Sequence, residues 1–323
     1  MNLEINRKNC RIWSMLGMRR TVGYALRELA LQNRDVIIAT ADLARYMGGE
    51  DFTDTIPDQF IDVGISEQNL IGVAAGMQME GFRVFAGTYA TFITARCLDQ
   101  IRMNMGYMGI PIKLIGVAGG LSDGRFGPSH MALEDVADMR SIPQITIISP
   151  ADCAELVKVV TRLLDYDRPT YLRLTGATGM PMVYLDDFEY QIGKANKIRD
   201  GKDIAIVAAG VAVYTGLQVA EMLSDVGVSC SVIDMHTISP IDEKMLDEIS
   251  KYSLIVSIEE HRKSGGLGSA IAEYYAEYDI RPKQMMIAIE GNYPVSADYP
   301  IIIKKEGLDA ESITDRIIKL LNI

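Results

Sequence analysis

The side chains best suited to chemistry in this sequence are one carboxylate and two aromatic rings, each placed just after a predicted strand. Glu67 follows the apolar run at residues 60–63 and opens a helical pattern rich in Gly and Ala. Tyr89 and Phe92 stand at the next turn from strand to helix. A flat, protonatable heterocycle needs such a set, because rings stack on its faces and an acid can exchange a proton with its edge. We find no other evident nucleophile, metal cluster or phosphate loop in the sequence.

The bulk composition excludes several classes of function. The chain has 323 residues, more than one average domain, which favours two domains. Its net charge is −11 and it has no basic run, which argues against a nucleic-acid partner. No apolar run approaches the roughly 20 residues of a membrane span, and the first residues lack the apolar core of a secretory signal. The four cysteines lie far apart and are expected to be reduced thiols. We therefore predict a cytoplasmic protein with no membrane contact and no metal site of its own.

Short β-branched runs alternate with helical patterns in the first half of the chain. The predicted strands are residues 36–39, 83–86, 112–117 and 145–148, and the predicted helices are 20–33, 68–80 and 153–165. Near-continuous apolar strands joined by helices favour a parallel sheet that is covered on both faces.

This alternation breaks between residues 176 and 201, where Gly, Pro and acidic residues are frequent, and resumes from residue 203. In the second half, strands are predicted at 203–209, 229–234 and 254–258, and helices at 213–226 and 242–250. A final helix is predicted after the glycine-rich residues 265–269. We predict an α/β fold of two doubly wound parallel-sheet domains: a larger one at 1–178, a linker at 179–200 and a smaller one at 201–323.

Several short motifs occur along the chain in a fixed order. They are Ala41-Asp42-Leu43, Gly64-Ile65-Ser66-Glu67-Gln68, Tyr89-Ala90-Thr91-Phe92, Gly127-Pro128-Ser129-His130, Ile142-Pro143 and Gly266-Leu267-Gly268-Ser269. With these motifs the chain resembles the transketolase family of thiamine diphosphate enzymes over nearly its whole length. More narrowly, it is similar to the pyrimidine-binding domain and the transketolase C-terminal domain of that family.

The other half of that family carries a Gly-Asp-Gly…Asn motif that holds the metal and the cofactor's diphosphate. Nothing in this sequence matches it, because Ser122-Asp123-Gly124 lies in a different context and lacks the downstream strand and Asn. The resemblance therefore implies the C-terminal subunit of a split transketolase, inactive until an N-terminal subunit joins it. It also implies thiamine diphosphate as cofactor, Mg²⁺ or Ca²⁺ held by the partner, and an α2β2 heterotetramer.

The resemblance assigns roles to five residues. Glu67 is expected to hydrogen-bond the pyrimidine N1′ and favour the imino form of the cofactor. Tyr89 and Phe92 are expected to stack on the aminopyrimidine, and Asp42 to lie near the cofactor at the subunit interface. His130 is expected to act in catalysis by hydrogen-bonding the donor sugar's carbonyl or hydroxyl. Without the resemblance, a helix-opening acid, core aromatics, a turn residue and a solvated histidine would explain the same residues.

Two arginines match positions that hold the substrate's terminal phosphate in this family. They are Arg173, after the predicted strand at residues 170–172, and Arg19, which a slip of one residue would exchange with Arg20. A guanidinium group suits this role because its fork pairs with two oxyanion atoms at once.

Three departures from the family pattern bear on the substrate. Phe126 replaces the acid that contacts a donor hydroxyl, Ala118 replaces a second donor-site histidine, and Tyr46 replaces a phosphate-binding serine. Arg125 and Arg45 add positive charge nearby. Because a polar group that faces Phe126 would lose its partner, we predict a modified, anionic ketose donor, for example one with a sulfonate at its end.

The favoured function is transfer of a two-carbon ketol unit from a ketose to an aldose phosphate. The alternatives are the β subunit of a 2-oxoacid dehydrogenase E1 component and a non-catalytic regulatory or scaffold subunit. A deoxyxylulose phosphate synthase-like activity is disfavoured, because the cation expected three residues after Phe92 is Ala95. Fold alone does not separate these functions.

Overall fold

The computed structural model describes residues 3–176 and 179–323. Its strands are β1 Val36–Thr40, β2 Phe60–Asp62, β3 Arg83–Tyr89, β4 Lys113–Gly119, β5 Thr146–Ile148, β6 Thr170–Thr175, β7 Asn196–Arg199, β8 Ile204–Ala208, β9 Cys230–Asp234, β10 Thr237–Ser239, β11 Leu254–Arg262 and β12 Lys283–Ile289. Its α-helices are α1 Arg7–Gln32, α2 Phe52–Thr55, α3 Glu67–Met79, α4 Ala90–Thr94, α5 Leu98–Ile101, α6 Asp135–Arg140, α7 Cys153–Leu163, α8 Ala212–Asp225, α9 Glu243–Ile249, α10 Leu267–Tyr275, α11 Tyr299–Lys305 and α12 Ala310–Leu321. None of these helices is both long and apolar enough to cross a membrane.

The first sheet has seven strands in the order β10-β5-β6-β4-β3-β1-β2. Strands β1 to β6 run parallel to their neighbours, and β10 pairs antiparallel with β5 at the edge. Every residue of β1, β4, β5 and β6 is buried, as expected for a parallel sheet covered on both faces.

The second sheet has five strands in the order β12-β11-β8-β9-β7. Strands β8, β9, β11 and β12 are parallel, and β7 pairs antiparallel with β9 at the edge. The predicted fold class, with two parallel-sheet α/β domains, is confirmed.

The domain limits at 1–178, 179–200 and 201–323 stay predictions, and residues 1, 2, 177 and 178 lie outside the described residues. Two strands pair with a sheet outside the predicted segment in which they lie. Strand β7 falls within the predicted linker and joins the second sheet, and β10 comes from the second half of the chain and joins the first sheet.

A helix does follow the glycine-rich residues 265–269, but its predicted start and its predicted place as the last element are wrong. Helix α10 begins inside this stretch, at Leu267, and β12, α11 and α12 follow it. The physical reason is a long-range cap: the Glu259 carboxylate accepts hydrogen bonds from the backbone N–H groups of Leu267 and Gly268 at 2.7 and 2.8 Å. These groups are among those that a helix start leaves without an intrahelical partner.

Helix α1 begins at Arg7 rather than at residue 20 and bends at Gly17. The Asn6 side chain caps its start by accepting a hydrogen bond from the backbone N–H of Asn9 at 3.0 Å. Gly17 adopts φ +77°, a conformation that glycine tolerates without strain, and this breaks the helical course just before Arg19.

Candidate functional site

The candidate residues gather at the edge of the first sheet where β1 to β4 end. Asp42 follows β1, Glu67 follows β2, Tyr89 ends β3, and His130 lies in the loop after β4. In parallel sheets these carboxyl ends face the same side, which is where ligands bind in open α/β folds.

Glu67 is the first residue of α3 and is only 5% exposed. Its Oε1 accepts a hydrogen bond from Nη1 of Arg96 at 2.7 Å, although the Arg96 side chain is 46% exposed. The start of a helix favours a carboxylate through the helix dipole. The site therefore contains a buried carboxylate that is paired with a half-exposed arginine.

Five rings form what we call the aromatic cluster: Tyr46, Tyr89, Phe92, Phe126 and His130. The ring centroids of Tyr89 and Phe92 are 5.5 Å apart, and each lies within 5.2 Å of the imidazole of His130. Tyr46 packs on Tyr89 at 4.8 Å. Burial raises the pKa of the Tyr89 phenol. All five of these residues were singled out from the sequence, and the structure brings them together in one place.

The imidazole of His130 packs between these rings and is partly exposed. Phe126, which is 61% exposed, covers it with a centroid distance of 5.2 Å and an interplanar angle of 37°. The hydroxyl of Ser129 lies 3.0 Å from Nδ1 of His130. When that hydroxyl donates, Nε2 carries the ring proton and can donate to a substrate oxygen.

Asp123 belongs to the site, although sequence reasoning considered it only as part of a Ser-Asp-Gly triplet. The Tyr46 hydroxyl donates to its Oδ2, and Nη1 of Arg19 lies 3.4 Å from its Oδ1. The Arg19 guanidinium also lies over the Tyr46 ring, with Cζ 4.1 Å from the centroid. Burial raises the pKa of Asp123, while the nearby Arg19 and His130 side chains oppose that shift. An acid in the same glycine-rich loop as His130 is the signal that could have found it.

Asp42 is held by a neighbour that sequence reasoning missed, Asp62. The Asp62 carboxylate accepts hydrogen bonds from the backbone N–H groups of Asp42 and Gly64, both at 2.9 Å. Asp42 itself adopts φ +58°, which a short polar side chain tolerates better than most, and it is exposed. Asp62 therefore ties the loop after β1 to the segment that leads to Glu67.

Two more of the arginines singled out from the sequence, Arg173 and Arg125, form hydrogen bonds or ion pairs with protein groups. Arg173 is 3% exposed, and its Nε donates to Asp135 Oδ2 at 2.7 Å. Its Nη2 donates to the backbone carbonyls of Ala132 and Glu260 at 3.1 and 2.8 Å. Arg125 is exposed and pairs with Asp298 before α11. A substrate-binding role for Arg173 or Arg125 stays a prediction.

The two histidines outside the cluster are fully buried. Burial lowers the pKa of His236 to about 4, and its Nδ1 lies 2.9 Å from the Thr237 hydroxyl. Nδ1 of His261 lies 2.7 Å from the carbonyl of Arg262. Across residues 3–176 and 179–323, no group of three or more His, Cys, Asp or Glu side chains could hold a metal ion.

Comparison with known proteins identifies the class to which this site belongs. The family description "Transketolase, pyrimidine binding domain" matches residues 14–178, and "Transketolase, C-terminal domain" matches residues 193–313. The chain therefore belongs to the transketolase family, whose members depend on thiamine diphosphate.

Over nearly its full length the chain corresponds to the C-terminal subunits of split transketolases. It is 35% identical over 302 residues to one of the subunits of the apulose-4-phosphate transketolase of Phocaeicola vulgatus, covering 93% of this chain and 96% of that protein. It is 35% identical over 263 residues to the SqwH subunit of the 6-deoxy-6-sulfo-D-fructose transketolase of a Clostridium species, covering 80% and 81%. A solved split-gene transketolase, described as an inactive β4 tetramer, matches with a TM-score of 0.84, 33% identity and coverage of 95% and 98%.

Proposed function

We propose that this chain is the pyrimidine-binding subunit of a two-subunit transketolase that transfers a two-carbon ketol unit from an anionic ketose to an aldose phosphate. The observation that carries this proposal is the buried Glu67 carboxylate at the carboxyl ends of β1 to β4, whose partner Arg96 lies over the ring of Phe92, next to Tyr89. The partner is a separate N-terminal subunit that holds the diphosphate and a Mg²⁺ or Ca²⁺ ion, in an α2β2 assembly.

The residues present fit the aminopyrimidine of thiamine diphosphate. Glu67 already accepts a hydrogen bond from a planar cation, and the same cation lies over the face of Phe92 with Cζ 4.2 Å from the ring centroid. A protonated aminopyrimidine makes the same two demands, an acceptor at its edge and a ring against its face. When bound, the cofactor supplies the nucleophilic carbon that accepts the two-carbon unit. Glu67 exchanges the proton at the pyrimidine edge, and Tyr89 and Phe92 orient the ring.

His130 and Arg19 act on the sugar in this proposal. Nδ1 of His130 is engaged by the Ser129 hydroxyl, which leaves Nε2 available; when that hydroxyl donates, Nε2 carries the proton and can donate to a carbonyl or hydroxyl oxygen of the sugar during C–C cleavage. Arg19, held near the site by Tyr46 and Asp123, provides positive charge for the terminal anion.

Two of the relatives support a donor other than the usual ketose phosphates. One is named for apulose 4-phosphate and the other for 6-deoxy-6-sulfo-D-fructose. Phe126, which stands against His130 in place of the family acid, is the residue of this chain that would set such a preference. Both of these relatives are transketolases, so the E1 β-subunit and scaffold alternatives are not favoured.

Ketol transfer with and without the partner subunit tests the proposal. Activity is expected only when chain, partner, thiamine diphosphate and Mg²⁺ are combined, and Glu67→Gln is expected to lower kcat by about 10²–10⁴-fold. Glu80→Gln is the matched control, since Glu80 is exposed at the far end of the same helix. No transfer from any ketose, together with decarboxylation of a 2-oxoacid, would assign the chain to the dehydrogenase class instead.

The donor is identified in the same assay with xylulose 5-phosphate, apulose 4-phosphate and 6-deoxy-6-sulfofructose. We expect one of the last two to have the highest kcat/KM. Phe126→Asp restores the family acid and should shift the preference towards xylulose 5-phosphate, because the carboxylate can accept from a donor hydroxyl that the phenyl ring leaves unpaired. An unchanged ranking would contradict the role given to Phe126.

A further inference from the structure

One side chain makes both of the contacts that the cofactor's pyrimidine would need. Nη1 of Arg96 donates to Glu67 Oε1 at 2.7 Å, and Cζ of the same guanidinium lies 4.2 Å from the centroid of Phe92. Arg96 lies in the turn between α4 and α5, whereas Glu67 begins α3. The ion pair therefore joins two elements across the site.

A guanidinium group and a protonated aminopyrimidine share the properties that Glu67 and Phe92 can recognise. Both are flat, both carry delocalised positive charge, and both present N–H donors in the plane of the group. Each can give a charge-assisted hydrogen bond to a carboxylate while its face rests on an aromatic ring.

We propose that Arg96 is a placeholder: in the free subunit its guanidinium occupies the position of the aminopyrimidine, and it leaves when the cofactor binds. This inference rests on the proposed function, because it needs Glu67 and Phe92 to be cofactor contacts. Arg96 is then a positioning residue, since it keeps the buried Glu67 carboxylate paired, and the Glu67 rotamer fixed, until the cofactor binds.

The surroundings of Arg96 suit a side chain that moves. Its side chain is 46% exposed against 6% for Glu67, so the guanidinium can swing into water while the carboxylate stays in place. The Gln68 side chain donates to the Arg96 backbone carbonyl at 3.1 Å, and the neighbouring Cys97 is fully buried. The backbone is thus anchored on both sides and the exchange involves the side chain alone.

The Glu67–Arg96 pair also explains how the buried Glu67 carboxylate is tolerated before the cofactor binds. A buried carboxylate without a partner destabilises the fold, because its desolvation is not offset by hydrogen bonds. Removing Arg96 should therefore have two effects of opposite sign: the free subunit loses stability, and the assembled complex binds its cofactor more tightly, since no side chain must first be displaced.

The test is calorimetric titration of thiamine diphosphate, with Mg²⁺ in excess, into the complex of this chain with its diphosphate-binding partner. Arg96→Ala is expected to lower the dissociation constant about tenfold, because the displaced pair is partly exposed and at the weak end of charge-assisted bonds. Arg96→Lys should fall between wild type and Arg96→Ala, since an ammonium group pairs with Glu67 but cannot lie flat on Phe92. Arg102→Ala, which removes an exposed charge shortly after α5, is the matched control and should leave the constant unchanged.

A second measurement follows thermal unfolding of the isolated chain. Arg96→Ala should melt at a lower temperature than wild type, and Arg102→Ala should not. If Arg96 were merely structural, its removal would lower both the stability and the affinity for the cofactor. Equal or weaker cofactor binding by Arg96→Ala and Arg96→Lys overturns the inference. If Arg96→Ala does not fold, the affinity of Arg96→Lys decides alone. A wild-type complex that binds no thiamine diphosphate overturns the proposed function and this inference together.

Discussion

Removing one partner of the buried ion pair between Arg173 and Asp135 should strongly destabilise the fold, and Asp135→Asn tests this. The two residues are 3% and 1% exposed, and the Tyr171 hydroxyl donates to the same carboxylate oxygen at 2.7 Å. Arg173 also donates to the carbonyl of Glu260 in β11, so the cluster joins the two sheets. Asparagine keeps the volume but removes the charge, which leaves a buried guanidinium without its counter-ion.

The expected loss in the free energy of unfolding is about 3–5 kcal/mol, the cost of breaking a buried pair by removing one partner. Urea unfolding of the isolated chain, followed by circular dichroism, measures it through the midpoint and the slope. Asp186→Asn is the control, because its pair with Arg7 is exposed on both sides and should contribute nothing measurable.

A loss below about 1 kcal/mol for Asp135→Asn would refute this reasoning, since it would mean that Arg173 does not depend on its carboxylate. The same variant also addresses the substrate-binding role predicted for Arg173. Unchanged stability with a raised KM for the donor would favour that role, whereas a large loss of stability would show a structural one.

Other expectations concern packing, protonation and thiols. Gly23→Ala should cost about 1–3 kcal/mol in chemical denaturation, because its Cβ would lie 2.2 Å from the carbonyl oxygen of Met47. Gly72→Ala meets nothing within 4 Å and should raise helix stability by about 0.5–1 kcal/mol, so the same assay should give opposite signs for the two variants. Burial, aided by the charge of Asp152, raises the pKa of Asp234 from 3.8 to about 7, so the folded state keeps a proton that the unfolded state releases. As the pH rises from 5 to 7, the wild-type protein should therefore lose stability relative to Asp234→Asn. Melting temperatures of the two proteins measure this, and a difference between them that does not change with pH would contradict it. The four cysteines are buried with raised thiol pKa values, so a thiol reagent at pH 8 should label none of them before unfolding; rapid native labelling would disprove this.

The parts of the site that local sequence determines could be predicted. Glu67, Tyr89 and His130 each follow a strand pattern, and strand patterns with helices between them define a parallel sheet whose carboxyl ends meet. Their proximity therefore follows from topology alone. Strand positions agree to within a few residues for the same reason: buried β-branched runs permit few other arrangements.

The parts that depend on side chains meeting from distant elements could not be predicted. Asp123 meets Tyr46 and Arg19 across 77 and 104 positions of the chain, and no local pattern specifies which loop residues turn towards each other. The short edge strands β7 and β10 were missed because four or three residues carry too little periodicity to be recognised. The start of α10 was misplaced because its cap is a side chain in another element, Glu259.

The edge strand β10 has a consequence for how the chain is made. Its pairing partner β5 leaves the ribosome some ninety residues earlier, and until residues 237–239 emerge, that edge of the nascent sheet has free N–H and C=O groups. An unpaired edge is a template for pairing with other chains, so truncated products that end before β10 should aggregate where the full chain does not. The first sheet takes one edge strand from the second half of the polypeptide, so the first half expressed alone is expected to leave that edge of its sheet open.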